Sequence, residues 1–256
     1  LILINVIFYI GSNFLGVNEI AYNFLALHFP LSDNFYVWQI FTHIFMHAEI
    51  NVTPTHIIFN MLGLYMFGGA LEYYWGEKRF LIFYLSCGIG AALLHLGVQY
   101  FQLMQFVNNL SLEQIKILGT IDFSLIENYN ELNNILIKNK ITNTLISIDE
   151  LNQIIEIKKI MSSSAVGASG ALYGILVGYA FMFSENKIFL LFPPIAIKAK
   201  YYVSFLVLYD FIAGLSGSSI LGGGGIAHFA HVGGAITGFL IMYLWRNKKY
   251  NFKRWN

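Results

Sequence analysis

Residues 227–245 read AHFAHVGGAITGFLIMYLW, nineteen positions without one charged side chain. About 20 mainly apolar residues in a helix span the hydrocarbon of a bilayer, so this stretch predicts a membrane helix. Working outward, five more apolar segments stand out, at 1–12, 55–74, 79–103, 166–184 and 201–220. The first, LILINVIFYIG, lacks a basic leading region and a cleavage site. It reads as the second half of a membrane helix rather than as a signal peptide. The expected fold is an all-α membrane protein with six transmembrane helices.

Composition agrees. Of the 256 residues, 57% are hydrophobic and only 11% are charged, against about 25% charged in an average soluble domain. Mean hydropathy is +0.60. These values exclude a disordered chain, a collagen, a basic nucleic-acid-binding protein and an ordinary cytosolic enzyme. The net charge of +1 encodes no bulk attraction to an acidic partner. The single cysteine, Cys87, excludes an internal disulfide framework and a multi-cysteine metal site. No cofactor is implied, and no metal is expected.

Two long stretches interrupt the spans. Residues 13–54 are aromatic and carry no Lys or Arg. Residues 104–165 are polar and mixed in charge, and predict amphipathic helices outside the bilayer. Ser111-Leu-Glu-Gln114 and Ser147-Ile-Asp-Glu150 both have capping-box form. The chain therefore divides into spans 1–3 with an outer first loop (1–103), an extracytoplasmic insertion (104–165), and spans 4–6 with a basic tail (166–256), as one integral membrane domain.

Basic residues orient it. Lys78 and Arg79 lie between spans 2 and 3. Lys187, Lys198 and Lys200 lie between spans 4 and 5. Arg246, Lys248, Lys249, Lys253 and Arg254 follow span 6. The 1–2 and 5–6 connections carry none, and the 3–4 stretch has more acidic residues than basic ones. Even connections and both termini are expected to be cytoplasmic.

With that orientation, spans 2, 4 and 6 run inward from the outer side. His56, Asn60, Ser169 and His231 all fall within about 8 Å of the outer helix ends, at 1.5 Å per residue. Polar side chains at membrane depth are costly and face a partner or a water-filled cavity. Each has a structural reading: Ser169 as part of a small-residue packing surface, the histidines as satisfied core or interfacial groups, and the i, i+4 pair His56–Asn60 as helix–helix glue. The Gly-x-x-x-Gly of 234–238 is a packing motif.

Together they have the parts of acyl transfer. A serine hydroxyl needs a base to take its proton, and His231 is the candidate. An oxyanion needs preorganised donors. The Asn60 amide, a His56 ring N–H and the Ser169 backbone N–H, in the first turn of span 4, are candidates. Gly167 and Gly170 allow close approach of a substrate backbone, and Tyr173 shares the Ser169 face and could orient the His231 ring.

These residues resemble the rhomboid intramembrane serine proteases. The resemblance rests on WQIFTHIFMH at 38–47, HIIFN at 56–60, the Glu72…Gly76…Arg79-Phe80 connection, GASGALY at 167–173 and AHVGGAITG at 230–238. It covers nearly the whole chain except about 104–164. It implies a six-helix core and a Ser–His dyad with no acidic third member. Ser169 would be the nucleophile and His231 the base and then acid. His56, Asn60 and the Ser169 amide would form the oxyanion hole. Tyr173 would stack on His231, and spans 4 and 6 would pack through small residues including Gly234 and Gly238. Trp38-Gln39 stands where many members have Trp-Arg, which bears on anchoring of the first loop. His43 and His47 match positions considered structural there. Asp210 matches no family role, and is expected to face the cavity or to pair with a hydroxyl.

The function implied is an endopeptidase that cuts transmembrane proteins near the outer boundary of a bilayer, here a bacterial inner membrane. Its partners would be transmembrane substrates and lipid, with no nucleic acid. The sequence leaves the natural substrate and oligomeric state open. The competing readings are a catalytically inactive rhomboid-like protein that binds membrane clients, disfavoured because Ser169 and His231 are both present, and a channel or transporter, disfavoured by the lack of internal repeats.

Overall fold

The structure is a computed structural model. It describes all residues except 15–16, 49–53, 108–109, 122–128, 144–146, 190–193, 217–224 and 247–256. Lys248, Lys249, Lys253 and Arg254 of the basic tail, Asp122 and Glu127 of the polar stretch, and the end of the fifth apolar segment at 217–220 lie outside the described residues.

The chain is mostly helical, and the apolar segments are helices. α1 spans Ile2–Phe14. The first loop carries α2 (Asn18–Leu25), β1 (Leu27–His28), α3 (Gln39–Thr42) and a 3-10 turn at His43–Phe45. α4 (Pro54–Gly63) runs through a π-helical turn at Leu64–Gly68 into α5 (Gly69–Trp75). After Gly76, α6 runs over Glu77–Phe106. The polar stretch folds as α7 (Leu112–Thr120), α8 (Tyr129–Lys138) and α9 (Ile148–Ser162), followed by β2 (Ser164–Ala165). α10 (Ser169–Met182), a hairpin of β3 (Lys187–Phe189) and β4 (Ala196–Lys198), α11 (Ala199–Ser216) and α12 (Gly225–Trp245) complete it.

Among the described residues, Glu77–Phe106 and Ala227–Trp245 are long and apolar enough to cross a membrane, while Ile2–Phe14 and Ser169–Met182 are shorter apolar helices. The surface of the helices fits lipid better than water. Ile7, Phe59, Tyr65, Phe101, Phe205, Leu215 and Leu244 are exposed, whereas Asn5, Gln39, His43, Asn60, His95 and Asp210 are buried. Polar groups inside and large apolar groups outside invert the pattern of a water-soluble domain.

Both capping boxes form. Ser111 Oγ accepts from the Gln114 amide and the Gln114 side chain accepts from the Ser111 amide; Ser147 and Glu150 do the same. The amphipathic faces of α7–α9 meet in a core of their own, with Ile115, Leu118, Leu136, Ile154, Ile157 and Met161 around Leu103 of α6 and Phe29 of the first loop. A second core lies among the long helices, around Phe83, Tyr84, Cys87, Ala171 and Ile175.

α12 packs against α6, α10 and α11. Its approach to α10 depends on bare backbone. A Cβ on Gly234 would fall 1.8 Å from the Gly170 carbonyl oxygen, and one on Gly238 would fall 2.8 Å from the Gly174 Cα. Two small-residue stripes, Gly170/Gly174 and Gly234/Gly238, thus interlock and gain dispersion contacts that bulkier side chains would block.

The start of α10 differs from the sequence reading. The apolar segment begins at 166, but the helix begins at Ser169. Ser164 and Ala165 pair antiparallel with His28 and Leu27. Gly167 then takes φ +123, a value that ends any helix and that side-chain-bearing residues rarely adopt. Its amide donates to the His43 carbonyl at 2.9 Å.

Candidate functional site

Gln39 builds the floor of the first loop. It is fully buried. Its Nε2 donates to the Asn23 and Asn34 carbonyls at 3.0 and 2.7 Å, and its Oε1 accepts from the His28 and Tyr36 amides, both at 3.2 Å. One side chain thereby meets four backbone groups around the loop. Trp38 Nε1 donates to the Phe24 carbonyl at 2.8 Å. This is how the Trp38-Gln39 pair anchors the first loop.

The two loop histidines are structural in geometry. His43 Nδ1 donates to the Gln39 carbonyl at 2.8 Å and His47 Nδ1 to the Phe45 carbonyl at 3.3 Å. Burial pushes both imidazoles down, to about 4 in each case. They are neutral at physiological pH. The His43 carbonyl that holds Gly167 is therefore positioned by an uncharged, fully seated ring.

Around Gly167 the sequence-derived residues converge. Ser169 is the first residue of α10, after Ala168 at the N-cap. Its hydroxyl lies 3.0 Å from His231 Nε2. The Tyr173 ring stacks on the His231 ring, centroids 4.3 Å apart and planes 6° apart. A side chain on Gly167 would meet His56 Cε1 at 3.0 Å and Ser169 Oγ at 3.5 Å. The His56 imidazole and the hydroxyl thus flank the same bare backbone. His56 Nδ1 accepts from the Ala48 amide at 3.5 Å, which leaves Nε2 as the ring's N–H. The Ser169 amide is one of the first-turn N–H groups that lack an i−4 carbonyl, at the positive end of the helix dipole.

Asn60 is buried, and its Nδ2 donates to the His56 carbonyl one turn earlier at 2.7 Å. One of its two amide hydrogens is thus spent within its own helix. Gly170, Gly234 and Gly238 act through the α10–α12 contact rather than by lining the site.

Two residues enlarge the site beyond the sequence reading. Asp210 of α11 faces two imidazoles. Its Oδ1 accepts from His231 Nδ1 at 3.1 Å and also from His228 Nδ1. The Asp210 and His228 side chains are 3% and 7% exposed, and that of His231 is 24% exposed. His228 lies one helical turn before His231, an i, i+3 relation visible in the sequence. Asp210 lies 21 residues away on another helix, which no periodicity reveals.

The comparisons follow this geometry. The rhomboid-domain family profile matches residues 34–106 and 135–248. The chain is 35% identical over 77 residues to the rhomboid protease GlpG of Salmonella paratyphi A, of Salmonella typhi and of Salmonella newport. That stretch is 30% of this chain and 26% of each relative, so the chain spans about a quarter of the length of the curated relatives it matches. The profile covers most of the chain, including the end of the first loop from residue 34, Ser169 and His231, and the chain belongs to the rhomboid family.

Proposed function

We propose that the protein is an intramembrane serine endopeptidase that hydrolyses peptide bonds of transmembrane proteins near the outer boundary of the bilayer. The observation that carries this reading is the 3.0 Å contact between Ser169 Oγ and His231 Nε2 at the N-terminus of α10, beside the bare backbone of Gly167. The rhomboid protease relatives agree with it.

The steps follow from the geometry. His231 Nε2 takes the Ser169 proton as Oγ attacks the scissile carbonyl carbon. The carbonyl oxygen becomes an anion, met by the Ser169 amide and the His56 Nε2–H, with the second amide hydrogen of Asn60 as a third donor. The protonated His231 passes its proton to the leaving amine, and the C–N bond breaks. A water molecule, deprotonated by His231, then attacks the acyl ester, and its proton returns to Ser169 as the acid product leaves. Stacking on Tyr173 keeps the imidazole face fixed through both half-reactions. The substrate helix must unwind locally, because a hydrogen-bonded helical carbonyl is shielded from attack.

In this reading α1, α4–α5, α6, α10, α11 and α12 are six membrane spans, with both termini cytoplasmic. The segments 1–103, 104–165 and 166–256 form one integral domain of a bacterial inner membrane. α7–α9 stand outside as an insertion between the third and fourth spans.

The test is labelling by a fluorophosphonate probe together with cleavage of a model transmembrane substrate in vesicles. The wild-type chain is expected to label at Ser169 and to cleave. Ser169→Ala removes the only proposed nucleophile and should abolish both. Cleavage by Ser169→Ala at the wild-type rate would overturn the proposal.

A further inference from the structure

We infer that Asp210 is a positioning residue for His231, so that the site works as a serine–histidine–aspartate relay spread over α10, α12 and α11 rather than as a two-residue dyad. The inference rests on the protease reading above and adds a third member that the family resemblance does not supply.

The argument begins with the cost of the residue. A carboxylate in an apolar helix is expensive unless its lone pairs are met by donors. Asp210 is 2% exposed in the middle of α11. Both imidazoles of α12 that face it do so through Nδ1, and both converge on the same oxygen, Oδ1. An ionised carboxylate only accepts. Each Nδ1 must therefore carry a hydrogen. For His231 this fixes the tautomer: Nδ1–H toward Asp210, and the Nε2 lone pair toward Ser169 Oγ at 3.0 Å. The opposite tautomer would point an N–H at the hydroxyl and could not accept its proton.

Asp210 also fixes what stacking leaves free. Tyr173 restrains His231 perpendicular to the ring, but a stacked ring can still rotate within its own plane. The in-plane contact from Nδ1 to Asp210 stops that rotation. When His231 becomes an imidazolium, its charge develops beside a buried carboxylate 3.1 Å away. His228 supplies a second N–H to the same oxygen, so Oδ1 already meets two donors before the reaction starts. Direct N–H···O contacts fill the space between the three side chains, and an ion would have to separate them.

Removing the carboxylate of a serine–histidine–aspartate site while keeping its shape costs about 10⁴ in kcat in a soluble protease. A smaller loss, about 10²-fold, is expected here, because Oδ1 is shared with His228 and the 3.1 Å contact is of ordinary length. The experiment compares wild type, Asp210→Asn and Asp210→Glu in full-length protein in vesicles. It reads kcat and KM on a model transmembrane substrate and the rate constant of fluorophosphonate labelling at Ser169. That rate constant reports only on folded molecules, so partial misfolding does not imitate the effect. Asp210→Asn should lose about 10²-fold in kcat and in the labelling rate constant, with KM changed less than about twofold. Asp210→Glu, which keeps the charge, should recover most of the loss. If Asp210→Asn does not fold, Asp210→Gln against Asp210→Glu poses the same contrast. An Asn or Gln variant with wild-type kcat and labelling rate overturns the relay and leaves the protease reading standing. A wild-type chain that neither labels nor cleaves overturns both.

Discussion

Replacing Gly234 with alanine should disable the site without touching any of its side chains. The added Cβ would sit 1.8 Å from the Gly170 carbonyl oxygen, and both atoms are in helix backbones. Real contacts of this kind stay at 3.0 Å or more, so α10 and α12 must separate locally by about 1.2 Å. Ser169 lies one residue before Gly170, and His231 three before Gly234. Displacement of that size opens the Oγ···Nε2 contact from 3.0 Å to roughly 4 Å, beyond hydrogen-bond range. A misplacement of about 1 Å can cost about 10²-fold in turnover, and overpacking should destabilise the fold by about 1–3 kcal/mol. The measurement is kcat on a model transmembrane substrate, with helix content by circular dichroism and melting temperature taken on the same sample. Gly97→Ala is the control, since a Cβ there meets nothing within 4 Å. Wild-type turnover in Gly234→Ala, with helix content intact, would mean that the interlocked stripes do not set the distance between the two side chains.

Gln39→Leu strands four backbone groups of the first loop, and should cost about 2–4 kcal/mol, since each buried group left unpaired costs about 1–3 kcal/mol and water reaches some of them; chemical denaturation in detergent measures it, and a change below about 1 kcal/mol would show that Gln39 is not the anchor. His43 and His47 are held neutral, each down at about 4. Unfolded imidazoles titrate near 6.5. Between about 4 and 6.5 the unfolded chain therefore binds more protons, and stability is full above 6.5 and falls as pH drops toward 4. The melting temperature should decline across that window, and His43→Gln should flatten the decline; a melting temperature constant from pH 7 to 4.5 would contradict the burial of these rings.

Hydropathy made the long helices legible, because spanning segments must be apolar throughout and few other needs compete. The capping boxes were legible because they are local: four consecutive residues specify both bonds. Ser169, His231 and Tyr173 could be read from the spacing of polar groups along the helices. The start of α10 could not, because Val166, Gly167 and Ala168 are as apolar as the helix they precede, and only the backbone, with Gly167 at φ +123 and its amide on the His43 carbonyl, shows that they are loop. Gly170 reads as room for substrate and as part of a small-residue packing surface, but its register against Gly234 depends on how α10 and α12 meet. The π-helical turn at Leu64–Gly68 leaves no compositional trace. Asp210 carried half a signal: a carboxylate in an apolar helix demands a partner, but which partner depends on how α11 rotates against α12, and that is decided by packing.

The stretch from α7 to α9 leaves α6 and returns to the core almost where it left. Gln99 Nε2 donates to Ser163 Oγ at 2.6 Å across 64 residues of chain, and β2 is stitched to β1 immediately afterwards. The two ends are thus clipped together before the backbone reaches Ser169. Closing a loop costs only about 0.6 kcal/mol more for each doubling of its length. Chain hung from that clip can lengthen, shorten or change sequence while the geometry downstream stays the same, provided Gln99 and Ser163 still meet. The α7–α9 stretch is in this sense free to diversify at almost no energetic consequence for the geometry around Ser169.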